Sequence, residues 1–396
     1  MTATDADVEL RARLRDRAER ALRERWPAVE LGHLQPLPGG ISSLTFAAAI
    51  ERPAQDRRRV VVKVAPPGLE PVRNRDVLRQ ARALVALHGA PGVPVPRVLA
   101  ADAGMPPLFV MEHVDGDSYE PRWDAAADAP GPELVRTRAL AAARTLAALH
   151  AVDPWRSGPA ARAAGAGIAG PAGAAARAAD PGDAPAGTPE AAWLPAFAGE
   201  RALTAREELD RWTALYATVG AELRGGEAEL REALRESVPE PEPGARPVVV
   251  HGDFRLGNLL FQGGRPAALI DWETWTLGDR RHDLAWLLMF ADPVMERAPR
   301  RGPADLAAGA AMPPAGELLH EYLRATGASE PPDDLAWFVA ASRYKLGSAL
   351  AALIKRGRRG RRPDPGLERA ALTTEAALRR GLSELRSAAL SRRGAG

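Results

Sequence analysis

The sequence predicts an α+β fold of two lobes, a small antiparallel β N-lobe followed by a larger, mainly helical C-lobe. Three observations lead there. At 396 residues the chain is longer than one ordinary domain and short for three. Its apolar residues fall mostly in short strand-like segments up to about residue 112, then adopt helical spacing from about residue 132. Hydrophobic residues at 46% with 26% charged give a globular balance with enough apolar surface for a sizeable core. Disorder throughout, collagen and coiled coil are excluded by the same figures.

Residues 1–29 read as an N-terminal helix, with Val8, Leu10, Leu14, Ala18 and Leu22 at helical spacing. The segment is too charged for a secretory leader. Residues 30–113 form the N-lobe, with strand-like segments at 33–37, 43–50, 59–65 and 107–112. Between the last two, Val77, Leu78, Ala81, Leu84, Val85 and Leu87 mark one face of a helix that Gly89 ends. Residues 91–100 read as an extended connector because their prolines forbid helix. Residues 114–396 form the C-lobe. It holds a strong helix from about 132, an Ala/Gly/Pro/Arg-rich insertion at about 156–190, and helical patterns from 200 to 237. A stiff PEPEPGARP connector leads to a short β region at 247–271, with helices beyond it to the end. There is no internal repeat.

Composition narrows the function. Fifty-three basic against 51 acidic residues leave +2, which gives no support to nucleic acid as a partner. Residues 355–396 carry 12 basic and 4 acidic residues, a balance that solvated helix faces and a loose tail explain more simply than binding to an anionic surface. No apolar run approaches the roughly 20 residues of a membrane helix, so no membrane is implied. The absence of cysteine excludes a disulfide framework, a thiolate metal site and a cysteine nucleophile. A soluble, cytoplasmic protein is the expectation. Gly165 to Gly170 matches GxGxxG, but no strand precedes it and Pro171 follows, so it is read as a chance match. There are only three lysines, Lys63, Lys345 and Lys355, and two asparagines, Asn74 and Asn258. A coding bias toward Arg and Ala explains their scarcity, and against it a surviving lysine or asparagine is a candidate for a place where chemistry resists substitution.

The most informative stretch is VVVHGDFRLGNLLFQGGRPAALIDWE, residues 248–273. Asp253 and Asn258 are five apart, so one tight loop can aim both side chains at a point. Gln262-Gly-Gly-Arg265 is a hairpin signal, and the hairpin returns Asp271 toward Asn258. One amide and one carboxylate oxygen converging beside a second carboxylate suit Mg²⁺, with phosphate oxygens and water completing its shell. Asp253 is then left to take a proton from a hydroxyl nucleophile. Alternatively these residues shape a turn and Asp271 caps the next element; the spacing of the whole set favours the chemical reading.

In the N-lobe, Gly39, Gly40, Ser42 and Ser43 lie in a turn between strands. By itself it is a plain hairpin turn, yet its amides and hydroxyls suit phosphate oxygens. Lys63 stands in a β-branched run on the face of Val61, opposite Val62 and Val64. A cation there needs an anion. Nucleotide phosphates supply one, while an edge-strand lysine guarding against aggregation is the other reading.

These segments resemble the phosphotransferase enzyme family, which includes aminoglycoside phosphotransferases and choline-type kinases and has a protein-kinase-like bilobal fold. The resemblance runs over about 30–290 through Gly39-Gly-Ile-Ser-Ser43, Val61-Val-Lys63, Phe109-Val-Met-Glu-His-Val-Asp-Gly116, His251-Gly-Asp-Phe-Arg-Leu-Gly-Asn258, Ile270-Asp-Trp-Glu273 and Thr276-Leu-Gly-Asp-Arg-Arg-His-Asp-Leu-Ala-Trp286. It is especially similar to the branch found fused ahead of acyl-CoA dehydrogenases. The resemblance implies ATP and Mg²⁺ as cofactors and a small-molecule hydroxyl as acceptor. It makes Asp253 the base or hydroxyl orienter, gives Mg²⁺ to Asn258 and Asp271, and sets Lys63 on the α/β-phosphates. Met111 to Val114 become the hinge, with adenine bonded to backbone near Glu112 and Val114. His251 and Asp283 would be structural, with Asp283 capping and anchoring.

One position departs from the pattern. Gln80 stands where kinase-like folds carry a glutamate to pair the strand lysine. Either activity tolerates an amide hydrogen-bonded to Lys63, or Asp76 substitutes, or the chain is a nucleotide-binding pseudokinase. The acceptor is left open between a hydroxylated metabolite, a hydroxyacyl compound among the candidates, and an antibiotic of aminoglycoside type. Oligomeric state is not legible.

Overall fold

A computed structural model describes residues 5–37, 43–52, 55–126, 128–155, 197, 199–296, 301–359 and 365–394. The insertion at 156–190 with its GxGxxG match, the turn residues Gly39, Gly40 and Ser42, and residues 360–364 of the basic segment lie outside them.

The N-lobe is a six-stranded antiparallel sheet ordered β1 (Glu30–Leu31), β3 (Leu44–Arg52), β4 (Gln55–Val64), β6 (Leu108–Glu112), β5 (Val98–Asp102), with β2 (Gln35–Pro36) also on β3. β5 corrects the sequence reading, which took 91–100 as connector throughout. The prolines stop at Pro96, and the residues after it are free to pair with β6.

Period-two alternation divides β4. Val60, Val62 and Val64 pack with Leu14, Ala18 and Leu22 of α1 (Asp5–Arg23) on the outer face of the sheet. Lys63 points to the other face, cross-strand from Thr45 on β3 and Phe109 on β6. That face meets α2 (Val77–Leu87), which Asp76 caps by accepting from Arg79 N at 2.9 Å. The buried residues of α2 join one continuous core with Phe109, Leu146, Leu259 and Trp275, so the lobes share apolar packing.

The C-lobe is built from α3 (Pro132–His150), α4 (Ala205–Ala217), α5 (Glu227–Glu236), α6 (Arg281–Phe290), α7 (Pro303–Ala310), α8 (Ala315–Thr326), α9 (Leu335–Arg359) and α10 (Pro365–Gly394). Two small hairpin-like pairs sit among them. β8 (Leu259–Gln262) and β9 (Arg265–Leu269) close through Gly263 at φ 59°. β7 (Val248–Val250) pairs with β10 (Thr276–Gly278), a strand where the sequence suggested only helix. The Glu and Arg residues of 200–242 read as an exposed face, yet Glu208 and Glu227 are buried. Glu208 accepts from Trp212 Nε1 at 2.7 Å, and Glu227 from the Tyr344 hydroxyl at 2.8 Å. Among the described residues no helix is long and apolar enough to cross a membrane.

Candidate active site

The site is a loop held between two short pairs of strands. β7 ends at Val250 and delivers His251, Gly252 and Asp253; a short 3-10 turn at Leu256–Asn258 then enters β8. Gly252 takes φ +81°, and a Cβ there would lie 2.6 Å from the Thr274 carbonyl oxygen. Only glycine fits that position. Asp283, fully buried on α6, accepts from His251 N at 2.6 Å and Gly252 N at 2.8 Å. The sequence reading made Asp283 a cap as well as an anchor. It stands at the third position of α6, and what its carboxylate ties down is the loop. His251 is structural as expected: its Nε2 lies 2.9 Å from the Ile270 carbonyl, and burial pushes its imidazole below the usual range.

Asp253 is oriented from two sides. Asn258 Nδ2 donates to both its Oδ2 and its carbonyl, each at 2.8 Å, and Trp286 Nε1 donates to Oδ1 at 2.9 Å. With its amide nitrogen so committed, Asn258 has its Oδ1 to offer a cation. The hairpin does what its spacing suggested, since Ile270 N donates to the Asn258 carbonyl at 2.9 Å and sets Asp271 beside the loop.

Asp271 adopts a left-handed backbone, φ 65°, and its Oδ1 lies 3.1 Å from Lys63 Nζ. Lys63 is 8% exposed. Burial alone would raise the Asp271 carboxyl, but the Lys63 charge and hydrogen bond hold it below the ordinary carboxylate range. Two residues on, burial and the Asp271 charge push Glu273 up to about 8. The set of Asn258 and Asp271 fits Mg²⁺, which needs few protein oxygens when phosphate oxygens complete its shell. Among the described residues no group of three His, Asp or Glu is arranged to hold a metal unaided.

Lys63 does not pair in the ways Gln80 suggested. Gln80 is buried and its Nε2 donates to the Asn74 carbonyl at 3.2 Å, while Asp76 is committed to capping α2. The helix is fastened to the C-lobe instead. Arg79 lies 3.8 Å over the Trp275 ring, donates to the Trp275 carbonyl, and forms two bonds to Glu200 at 2.8 and 2.9 Å.

The Ser43 hydroxyl is buried and, among the described residues, has no hydrogen-bond partner. Met111 and Glu112 end β6. The Glu112 amide donates to the Arg97 carbonyl and the His113 amide to that of Arg59, so neither N–H is on offer to a base; Val114 follows them in the chain.

Sequence reasoning missed the residues around Asp253 that come from afar. Arg255 Nε stands 3.4 Å from Asp253 Oδ1, and its guanidinium reaches Glu120 at 3.5 Å. Glu120 is fully buried, accepts from Gly257 N at 3.0 Å, and is pushed up to about 7 by burial. No local spacing links residue 120 to residue 255. Arg255 alone was legible, as a cation two residues beyond Asp253.

The phosphotransferase enzyme family matches residues 33–327. Among curated proteins, the chain is 27% identical over 319 residues to "Probable acyl-CoA dehydrogenase IBR3" of Arabidopsis thaliana, covering 76% of this chain and 33% of that one. It is 25% identical over 331 residues to "Acyl-CoA dehydrogenase family member 10" of Mus musculus, covering 80% and 26%. The chain thus spans about a third or less of these relatives' length. Among solved structures, a Ralstonia eutropha protein whose assignment as an aminoglycoside phosphotransferase is itself provisional superposes with a TM-score of 0.62 at 22% identity, covering 96% and 97%. Aminoglycoside phosphotransferase APH(4)-Ia, in ternary complex with ADP and hygromycin B, gives 0.53 at 15%, covering 92% and 98%. At such identities the likeness is one of fold.

Proposed function

Because the chain belongs to the phosphotransferase enzyme family, an enzyme family of alcohol phosphorylation on small molecules, we propose that it moves the γ-phosphoryl group of ATP, with Mg²⁺, to a hydroxylated metabolite. The observation that carries this reading is the convergence of four side chains. Asp253 is bonded to Asn258 at 2.8 Å, and the adjacent Asp271 is bonded at 3.1 Å to Lys63 on the N-lobe sheet.

When bound, the metal nucleotide supplies the phosphoryl group and the charge neutralisation its transfer needs. The chain does the rest. Lys63 offers a compact ammonium to phosphate oxygens, and the buried Ser43 hydroxyl offers them a donor. Asn258 Oδ1 and the Asp271 carboxylate are the oxygens that would hold the cation. Asp253, fixed by Trp286 and Asn258, orients the acceptor hydroxyl and receives its proton. Gln80 does not bear on these contacts, because Lys63 has its carboxylate in Asp271; this favours an active enzyme over a pseudokinase.

Two observations support a hydroxy acid or hydroxyacyl compound as the acceptor over a polycationic antibiotic. The curated relatives are named as acyl-CoA dehydrogenases. Arg255 also sets a guanidinium 3.4 Å from Asp253, a donor that an acidic acceptor can meet beside the carboxylates of Asp253 and Glu120. The cytoplasm, where ATP is abundant, is the compartment this reading implies.

The test is coupled ADP release across hydroxy acids, hydroxyacyl-CoAs, amino alcohols, aminoglycosides and macrolides, preceded by thermal shift with ATP and Mg²⁺. Turnover of acidic acceptors is the expected result. Turnover confined to aminoglycosides overturns the acceptor class, and nucleotide binding without turnover of any acceptor identifies a pseudokinase.

A further inference from the structure

The peptide joining Gly252 and Asp253 is bonded on both sides. Gly252 N donates to Asp283 Oδ1 at 2.8 Å, Asp253 N to His251 Nδ1 at 3.2 Å, and the Asp253 carbonyl accepts from Asn258 Nδ2 at 2.8 Å. These partners belong to the segments that carry the family resemblance. The Gly252 carbonyl is different: it accepts from the ammonium of Lys345, on α9, 93 residues away and outside the residues the family matches.

Lys345 has unusual surroundings for a lysine. Its ammonium lies 4.6 Å from the centroid of the Trp286 ring and 5.2 Å from that of Trp212, held between two indoles. Glu208, on α4, is committed to Trp212 Nε1 at 2.7 Å and to Arg211 at 3.4 Å, and Asp283, on α6, to the loop amides. Among the described residues no carboxylate forms an ion pair with Lys345. A half-buried cation whose carboxylates, Glu208 and Asp283 foremost, act on it only from beyond ion-pair distance is costly, and an apolar side chain would fill the same slot. What the ammonium does that an apolar group cannot is bind the carbonyl before Asp253 while lying against the indole that binds Asp253 itself, through Trp286 Nε1 at 2.9 Å.

We propose that Lys345 is a positioning residue for Asp253, locking the Gly252 carbonyl and the Trp286 ring together so that the carboxylate is held from its backbone and from its Oδ1 at once. The proposal rests on the reading of Asp253 as the group that meets the acceptor hydroxyl. It gives the second of the three lysines a chemical reason to persist, and it makes α9 part of the active-site scaffold.

The first readout requires no acceptor. With ¹⁵N-labelled tryptophan, the Trp286 indole N–H resonance is identified by its loss in Trp286→Phe. Lys345→Met moves that resonance and speeds its exchange with solvent, while Lys345→Arg, which keeps a cation and a donor, leaves it near the wild-type position. The second readout is turnover of whichever acceptor the wild type accepts. Lys345→Met lowers kcat by about 10- to 100-fold with KM for ATP held within about twofold, and Lys345→Arg restores most of it. An unchanged indole resonance in folded Lys345→Met overturns the positioning role whether or not an acceptor is known, and so does wild-type kcat in that variant. If the wild type turns over nothing, the functional reading fails and the indole resonance still decides this one. Should Lys345→Met not fold, Lys345→Ala, which removes the donor and leaves room for water, takes its place under the same criteria.

Discussion

Lys63 Nζ stands 3.1 Å from Asp271 Oδ1, so a strand of the N-lobe and the turn after β9 in the C-lobe meet in a single ion pair. Lys63→Met removes the cation and should weaken ATP binding by about tenfold or more, measured by calorimetry with Mg²⁺ present. Its effect on folding should be small. The Asp271 side chain keeps 40% of its exposure, so solvent screens the pair, and the loss of stability in urea should be about 1 kcal/mol.

Asp253→Ala separates chemistry from binding. The variant loses the group proposed to receive the acceptor proton and should fall by roughly 10²–10⁴ in kcat. ATP affinity, assigned by the same proposal to Lys63 rather than Asp253, should stay nearly intact. Equal turnover in the variant would remove Asp253 from its role as proton acceptor.

Gln80→Glu restores the residue common at this place in kinase-like folds, and here it should do harm. The Gln80 amide donates to the Asn74 carbonyl at 3.2 Å from a buried position, and a carboxylate there has no proton to give. A loss of about 1–3 kcal/mol in urea midpoint analysis is expected, with no gain in kcat. A more active, equally stable variant would mean that the new carboxylate reaches Lys63.

Glu120 carries a share of the pH dependence, and Glu273, raised to about 8, carries another. The Glu120 carboxyl is raised by burial to about 7 from 4.5. A carboxyl raised on folding stabilises the native state below its unfolded value, and that contribution is lost as pH rises from about 4.5 through 7. The gap corresponds to at most about 3 kcal/mol. Glu120→Gln should therefore flatten the fall in stability between pH 5 and 8 and gain on the wild type at the alkaline end. Parallel urea midpoints at the two pH values would show that Glu120 does not titrate in this range.

Gly252→Ala probes the loop backbone. With φ at +81° and the Thr274 carbonyl 2.6 Å from the added carbon, the loop must shift. A loss of about 1–3 kcal/mol is expected, together with a fall in kcat larger than any change in KM for ATP. Thermal unfolding and steady-state kinetics on the same preparation would measure both.

The parts legible in the sequence were the local ones. Asp253 and Asn258 share a loop, and Asp271 returns by a two-strand hairpin, so spacing alone brought three of the four key side chains together. Lys63 was legible by contrast, as a cation in a β-branched run. What the sequence could not reveal are meetings made by packing. Trp286 reaches Asp253 from α6, Glu120 reaches Arg255 from the start of the C-lobe, and Gln80 turns to Asn74 because α2 is anchored through Arg79 and Trp275. β5 was hidden by prolines that end just before it. The two asparagines both proved occupied, Asn258 at the loop and Asn74 as acceptor for Gln80 and Arg211.

The position of α9 bears on how this chain can be cut. Every recognisable motif ends by residue 286, and the family match ends at 327. A fragment trimmed there would look complete by its motifs. It would lack Lys345 beneath Gly252, Ser348 on the Trp212 carbonyl, Tyr344 on Glu227 and Arg343 on Asp292. Buried carboxylates and a bare loop carbonyl would be left facing water, so the smallest portion able to fold with an ordered Asp253 extends at least through α9.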